Sequence, residues 1–434
     1  MKVSYCSLGC KVNEYESMAI INDFMNHGYE LVEFGEQSDV YIINTCTVTA
    51  VSDVKSRKMI RRAVKSNPDA IVAVMGCFAQ LHLDEVAKIR GVDVLIGTTE
   101  RHRLFELVSA ALLDKAPHFA IQDVKQEKVY EELKIDRFAN KSRGFVKIED
   151  GCNNFCSYCA IPYARGRVRS RKPENVIAEV QLLTDQGIRE IVLAGINSGA
   201  YGEDLGNHDL ADLLTELTQK VRNLGRIRVS SIEATDVTPK LLEAICANSA
   251  HVCDHFHIPL QGGCDETLKR MHRKYDLEYY SDKIAQIRAI FPGVNISTDI
   301  MTGFSGETAA DFSKTFQFVD SLNFGETHIF PYSRRIGTPA FNYPDQIDEM
   351  TKHYRVNELL ALNQKKALEY RQKFEGQILE VIVERNQMGL AFGHSANYLE
   401  IEFPSLTARK NDLVKVIIKK AGYPVSTAKE VVHV

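Results

Sequence analysis

No uninterrupted apolar run in the 434 residues approaches the ~18 that a membrane-spanning helix needs. The opening residues, "MKVSYCSLGC", show no charged start leading into an apolar signal segment, so a cytoplasmic protein is expected. A strong excess of either charge is missing too. The formal net charge is −4 and the pI about 6.4, so any nucleic-acid footprint must be local. Solenoid-type repeats and low-complexity tracts are also lacking, which leaves ordinary packed domains, two to four at this length and 44% hydrophobic content. Finally, "CNNFCSYC" at residues 152–159 has no fourth cysteine nearby. Ten cysteines in a reducing compartment are expected as metal ligands or reactive thiols rather than disulfides. Three close together describe a metal centre left one ligand short.

Residues 1–115 alternate apolar runs ("VSYCSL", "VYIINTC", "IVAVMGC", "VDVLIGT") with helical patterns near 13–27, 52–66, 80–90 and 101–114. Continuous apolar strands between helices predict a parallel sheet covered on both faces. Residues 116–140 are charged and weakly patterned, and read as a linker. Residues 141–375 carry six strand candidates, "GFVKIE", "EIVLAG", "RIRVSSIE", "HFHIPL", "NISTDIMTG" and "THIFPYS", with helical patterns between them and an amphipathic helix near 348–374. That alternation predicts an open (β/α)6 barrel with functional loops at the C-terminal ends of its strands. In 376–434 the pattern turns to short strands, "QILEVIVE", "GLAFGHS", "YLEIEF" and "DLVKVIIKK", which predict a small β-barrel. The expected fold class is therefore α/β, with a β-barrel at the C-terminal end.

Cys152, Cys156 and Cys159 directly follow the first strand of the six-unit domain. Three thiolates spaced C-x3-C-x2-C suit a 4Fe–4S cluster with one iron free to bind something else. Zinc, completed by Cys253, Cys264 or water, is the competing reading of the spacing alone. A second set is spread along the N-terminal domain: "SLGC", "INTC" and "VMGC" place Cys10, Cys46 and Cys77 each at the end of a strand. In a parallel sheet those ends share the edge where ligands bind. A lone cysteine is ordinarily a small buried hydrophobe. Three at equivalent topological positions argue instead for a second thiolate site. Cys6 is expected to point elsewhere or to be a spare thiol, and Cys246, Cys253 and Cys264 are otherwise assigned to packing.

The C-x3-C-x2-C run, with Tyr158 before its last cysteine and a βα barrel following, resembles the radical S-adenosylmethionine superfamily. The pairing of two such sites resembles the methylthiotransferase family over nearly the whole chain. Its motifs are matched by "LGCKVNEYES", "INTCTVT", "GCFAQ", "GCNNFCSYCAIPYARGRVRSR", "SSIEAT", "HIPLQGG", "STDIMTGFSGET" and "PYSRRIGTPA". The wording is most similar to the branch that acts on N6-threonylcarbamoyladenosine beside the tRNA anticodon. Gly262 and Cys264 stand where serines are usual, and Ser305 where a proline is.

The resemblance implies an auxiliary 4Fe–4S cluster on Cys10, Cys46 and Cys77, a second on Cys152, Cys156 and Cys159, and a C-terminal TRAM-like domain that binds RNA. It implies two uses of S-adenosylmethionine: methylation of a sulfur on the auxiliary cluster, and cleavage to a radical that removes hydrogen from C2 of the adenine. A radical suits an aromatic C–H that ordinary acid–base chemistry cannot attack. An external electron donor such as flavodoxin or ferredoxin is implied as well. By the same resemblance Gly195, Asn197, Glu233, Gln261 and Asp299 surround S-adenosylmethionine, with Tyr158 and Pro162 beside its adenine. Related targets, an isopentenyl-adenosine in tRNA or a ribosomal-protein aspartate, would use the same cysteines. A zinc-stabilised RNA-binding protein is the non-enzymatic alternative.

Local basic patches supply an RNA footprint. Arg165, Arg167, Arg169 and Arg171 recur every second residue and would share one side of an extended segment. Lys55, Lys58, Arg62 and Lys65 share one face of the helix after Cys46, flanked by Arg57 and Arg61, with Asp53 its one acid. Arg334 and Arg335 are candidates for the carboxylate of a threonylcarbamoyl group. From Gly376 to Val434 there are seven Lys/Arg against six Asp/Glu, a net of +1, so RNA binding there rests on the TRAM resemblance.

Overall fold

The computed structural model describes residues 1–135 and 142–431. The chain divides into two compact units: Met1–Phe138, Lys147–Arg171 and Ser333–Phe341 form the first; Ala139–Val146, Lys172–Tyr332 and Asn342–Val434 form the second.

The first unit is built on a six-stranded sheet of β1 (Lys2–Ser7), β2 (Glu30–Leu31), β3 (Val40–Thr45), β4 (Ile71–Gly76), β5 (Val94–Ile96) and β6 (His118–Ala120), ordered β2-β1-β3-β4-β5-β6 with every pair parallel. Each residue of β3 and β4 is buried, as central strands covered on both faces require. On one face Ile42 and Ala73 pack with Ile20 and Phe24 of α1 (Lys11–Asn26) and with Leu104 and Val108. On the other, Tyr41, Ile43, Val72 and Val74 meet Ile60 and Ala63 of α2 (Ala50–Ser66) and Phe78 of α3 (Cys77–Leu81). Thr49 caps α2, its hydroxyl accepting from the Ser52 N–H at 3.1 Å. The stretch expected as a linker supplies β6, whose "HFA" is too short amid charged neighbours to announce a strand; residues 136–140 of that stretch lie outside the described residues.

After β7 (Arg143–Lys147), the short strands β8 (Glu149–Asp150) and β9 (Arg169–Ser170) pair antiparallel in the first unit and bracket the "CNNFCSYC" loop. In the second unit β7 is followed by β10 (Glu190–Ala194), β11 (Arg226–Val229), β12 (His255–His257), β13 (Asn295–Thr302) and β14 (Glu326–Pro331). They form two three-stranded sheets, β11-β10-β7 and β12-β13-β14, joined through parallel bridges Ile227–Val252 and Ser231–His257. The six expected strands thus stand side by side in chain order. Helices Leu210–Lys220 and Ala309–Leu322 between them each begin with a capping box, Asp209 with Asp212 and Thr308 with Asp311.

Residues β15 (Ile378–Gln387), β16 (Leu390–Ser395), β17 (Glu400–Pro404), β18 (Leu413–Lys420) and β19 (Val425–Glu430) close a five-stranded barrel in the order β15-β16-β17-β19-β18. The barrel is fastened to the start of β10 and β11. Buried Glu190 accepts from Arg226 Nε at 2.6 Å and Arg228 Nε at 2.8 Å, and the same arginines donate to the carbonyls of His394, Ser395 and Ala396. Burial alone would raise the Glu190 pKa, but Arg228 and Arg226 outweigh it and bring it down to about 2. A carboxylate depressed this way stabilises the fold above its unfolded pKa of about 4.3 and loses that contribution as pH falls toward about 2. Glu190→Gln strands two buried guanidiniums and is expected to cost about 3–5 kcal/mol at neutral pH. Thermal denaturation at pH 7 and pH 3 checks this, because the penalty should shrink at the lower pH.

Candidate active site: two three-cysteine centres

Each cysteine of the N-terminal set stands where a strand hands over to a helix. Cys10 caps α1 after β1, Cys46 follows β3, and Cys77 opens α3 directly after β4. Two glycines make this convergence possible. Gly9 (φ +102°) turns the chain so close to Cys46 that a Cβ on it would lie 2.9 Å from Cys46 Sγ. Gly76 (φ +98°) lets the chain pass Asn44, whose Oδ1 a Cβ would meet at 2.3 Å. Burial pushes the Cys77 thiol up to about 12; Arg165 opposes the rise, and Cys46 and Cys10 add to it. Cys46 is likewise raised, mainly by burial and in part by Cys10. Three thiols at the ends of three adjacent strands fit one shared metal group. A cluster would hold all three as thiolates, its iron offsetting the cost that burial puts on ionising Cys46 and Cys77, while Cys10 is exposed.

The second centre is a single loop. The Cys152 N–H donates to the Gly166 carbonyl at 3.1 Å, the Cys159 N–H to the Cys156 carbonyl at 3.0 Å, and the Asn154 N–H points at Cys152 Sγ at 3.5 Å. Phe155 takes a left-handed φ of 47° between the first two cysteines. The loop runs into the short helix Ile161–Arg165, with Pro162 in its first turn. Three sulfurs within eight residues, with a backbone N–H aimed at one of them, suit an iron–sulfur ligand set.

The expected arginine row is not a row. Helix Ile161–Arg165 and the turn at Gly166 (φ +78°) take Arg165 out of the extended segment, so the two-residue alternation breaks. Arg165 is fully buried: Nη1 donates to Glu16 and Asp150 at 2.8 Å each, and Nη2 to Asn13 Oδ1 at 2.6 Å. Arg169 and Arg171 are buried as well, the latter on Glu132 at 2.8 Å. Only Arg167 of the four is exposed, stacked over Phe155 at 4.4 Å. Arg335 is also buried, donating to Thr47 at 2.6 Å and Asp53 at 2.7 Å. The nucleic-acid or substrate contacts expected of Arg165 and Arg335 are therefore corrected to internal ion pairs; Arg334 is exposed and stacks on Phe341.

On α2 the basic face is as expected: Lys55, Lys58, Arg61, Arg62 and Lys65 are exposed, and Asp53 turns inward to Arg335. Next to them Val48, Val51 and Val54 are 54%, 63% and 56% exposed, an apolar strip beside Cys46 and the basic residues that charge counting missed.

In the second unit, the residues expected around S-adenosylmethionine lie in the C-terminal half of, or just after, four of the six strands. Gly195 and Asn197 follow β10, Glu233 follows β11, Gln261 follows β12 and Asp299 lies in β13. Asn197 donates to Asp236 at 2.8 Å, and Glu233 is held by Arg273. Gln261 takes a positive φ of 68°, and its buried Oε1 has no hydrogen-bond partner among the described residues. The buried hydroxyls of Ser198 and Ser230 are in the same position. Polar atoms buried at strand ends without a partner fit a polar ligand such as S-adenosylmethionine. Asp299 faces His257, Nε2 to Oδ1 3.4 Å, and stands in register with His328; sequence reading passed over both histidines.

Residues 146–319 match the radical SAM superfamily, and residues 2–97 match a group described as Uncharacterized protein family UPF0004. A threonylcarbamoyladenosine tRNA methylthiotransferase MtaB from Bacillus subtilis (strain 168) is 42% identical over 97% of this chain and 94% of its own length. The chain belongs to the radical S-adenosylmethionine methylthiotransferase family. Another relative, named tRNA-2-methylthio-N(6)-dimethylallyladenosine synthase, from Desulfitobacterium hafniense (strain Y51), shares 34% identity with this methylthiotransferase over 97% of its chain and 95% of the relative's. Among solved structures, the radical S-adenosylmethionine methyltransferase TsrM from Kitasatospora setae aligns at a TM-score of 0.56 and 16% identity, over 78% of this chain and 74% of that one, a likeness of fold. No helix among the described residues is long and apolar enough to cross a membrane.

Proposed function

We propose that this methylthiotransferase places a methylthio group on C2 of N6-threonylcarbamoyladenosine next to the anticodon of tRNA. The observation that carries the reading is the presence of two three-thiol centres in one chain, Cys10, Cys46 and Cys77 at the ends of three adjacent strands and Cys152, Cys156 and Cys159 in one loop. The choice of nucleoside is supported by 42% identity to the relative named for threonylcarbamoyladenosine, against 34% to one named for the dimethylallyl nucleoside.

When bound, an iron–sulfur cluster with S-adenosylmethionine at the second centre supplies radical chemistry, and a cluster at the first supplies the sulfur to be transferred. The protein's own groups do the rest. The six thiolates hold the two clusters. Gly195, Asn197, Glu233, Gln261 and Asp299 bind the polar parts of S-adenosylmethionine, and Tyr158 and Pro162 border its adenine. Arg167, Lys55, Lys58 and Arg62, exposed as phosphate contacts must be, hold the RNA backbone, with Arg334 available to the threonyl carboxylate. On the barrel, exposed Met388 and Leu406 beside Arg409 and Lys410 offer an apolar and basic tip for a single-stranded base. A flavodoxin or ferredoxin in the cytoplasm would supply the electron.

The test compares nucleosides of tRNA from cells with and without the gene, by mass spectrometry. Loss of the 2-methylthio derivative with accumulation of plain threonylcarbamoyladenosine supports the assignment. Loss of a methylthio-isopentenyl nucleoside instead would move the substrate to the other tRNA branch.

A further inference from the structure

The loop that carries one cysteine centre reaches into the other. Six residues after Cys159, Arg165 directs its Nε–H at Cys77 Sγ, 3.3 Å away, with no part of the side chain exposed. The free thiol stands here for the thiolate of a cluster-bound cysteine, which accepts the same bond more strongly. The guanidinium cannot drift. Glu16 and Asp150 clamp Nη1, Asn13 takes Nη2, and the Ala164 carbonyl before it accepts from Thr98 Oγ1 at 2.5 Å. Asn13 in turn donates to the carbonyls of Leu8 at 2.7 Å and Thr45 at 3.1 Å, which immediately precede the Gly9–Cys10 turn and Cys46. Arg101 and Lys147 share Glu16 and Asp150 from the far side, so the carboxylates stay ionised and the cluster of charges stays closed. A fully buried arginine needs such clamps to be tolerated at all. The one contact that clamping does not account for is the bond to sulfur.

We propose that Arg165 is a positioning residue for the auxiliary centre, fixing Cys77 and raising the electron affinity of the cluster that Cys10, Cys46 and Cys77 hold. A donated N–H and a buried positive charge beside a ligating sulfur both favour the reduced, more negative cluster, so they move its potential upward. Because Arg165 ends the short helix that directly follows the Cys152, Cys156 and Cys159 loop, it also ties the position of one centre to the other. This inference rests on the two-cluster reading above.

The test uses the full chain carrying Cys152→Ala, Cys156→Ala and Cys159→Ala, which leaves only the auxiliary centre to titrate. Its midpoint potential is measured by electron paramagnetic resonance alongside its iron content, with and without Arg165→Gln. The double variant Arg165→Gln with Glu16→Gln keeps the buried charges balanced where the single change fails to fold. The expected result is about four irons in each soluble protein, with the midpoint lower in the glutamine variants and intermediate in Arg165→Lys. Retained iron with an unmoved midpoint overturns the role of Arg165 alone. No iron in the parent protein overturns the two-cluster reading, and this inference with it.

Discussion

Cys46→Ala is expected to lower the iron of anaerobically reconstituted protein from about eight to about four per chain and to bring methylthiolation of tRNA to background. Cleavage of S-adenosylmethionine by the same variant should persist. The asymmetry follows from where Cys46 stands. It belongs to the strand-end set and touches the Gly9 turn that carries Cys10, whereas Cys152, Cys156 and Cys159 belong to a separate loop with its own backbone hydrogen bonds. Its Sγ has no substitute nearby in sequence, and burial keeps solvent ligands away. Iron analysis and the yield of 5′-deoxyadenosine, read on the same sample, check both halves. Loss of cleavage together with loss of iron would show that the two centres are not independently assembled.

The second large effect is the reverse experiment. Cys156→Ala removes the middle ligand of the C-x3-C-x2-C loop and is expected to reduce 5′-deoxyadenosine formation to background, again leaving about four irons. The auxiliary set should survive because its ligands stand just past the ends of β1, β3 and β4, outside the loop that carries Cys156. Chromatographic quantification of 5′-deoxyadenosine with dithionite as reductant reads this directly. Residual cleavage at the wild-type rate would remove the loop from the radical chemistry altogether.

The six cysteines proposed as ligands stand out in the sequence for two different physical reasons. Cys152, Cys156 and Cys159 declare themselves by spacing, since all three fall within eight residues. Cys10, Cys46 and Cys77 declare themselves by topology, since three apolar runs ending in cysteine can meet only if the strands are parallel, as β1, β3 and β4 are. The six strands of the second unit were readable as apolar runs between helical patterns. Strand β19 was not, because "VSTAKE" carries too few apolar residues and takes its stability from pairing with β17 and β18. Arg165 and Arg335 misled for one reason: a charged side chain in a basic run looks solvated until the acids that meet it, Glu16, Asp150 and Asp53, are brought in from distant segments. The exposed valines on and just before α2 and the histidines beside Asp299 carry no sequence signal of their own; only their placement marks them.

The most direct measurement is a reaction in vitro. Reconstituted enzyme, S-adenosylmethionine and reductant are incubated with tRNA bearing threonylcarbamoyladenosine and, separately, with tRNA bearing isopentenyl-adenosine, and the digested nucleosides are analysed by mass spectrometry. The expected result is a 2-methylthio product from the first tRNA and little from the second. A colourless protein that binds zinc and yields no methylthio nucleoside from either would contradict it.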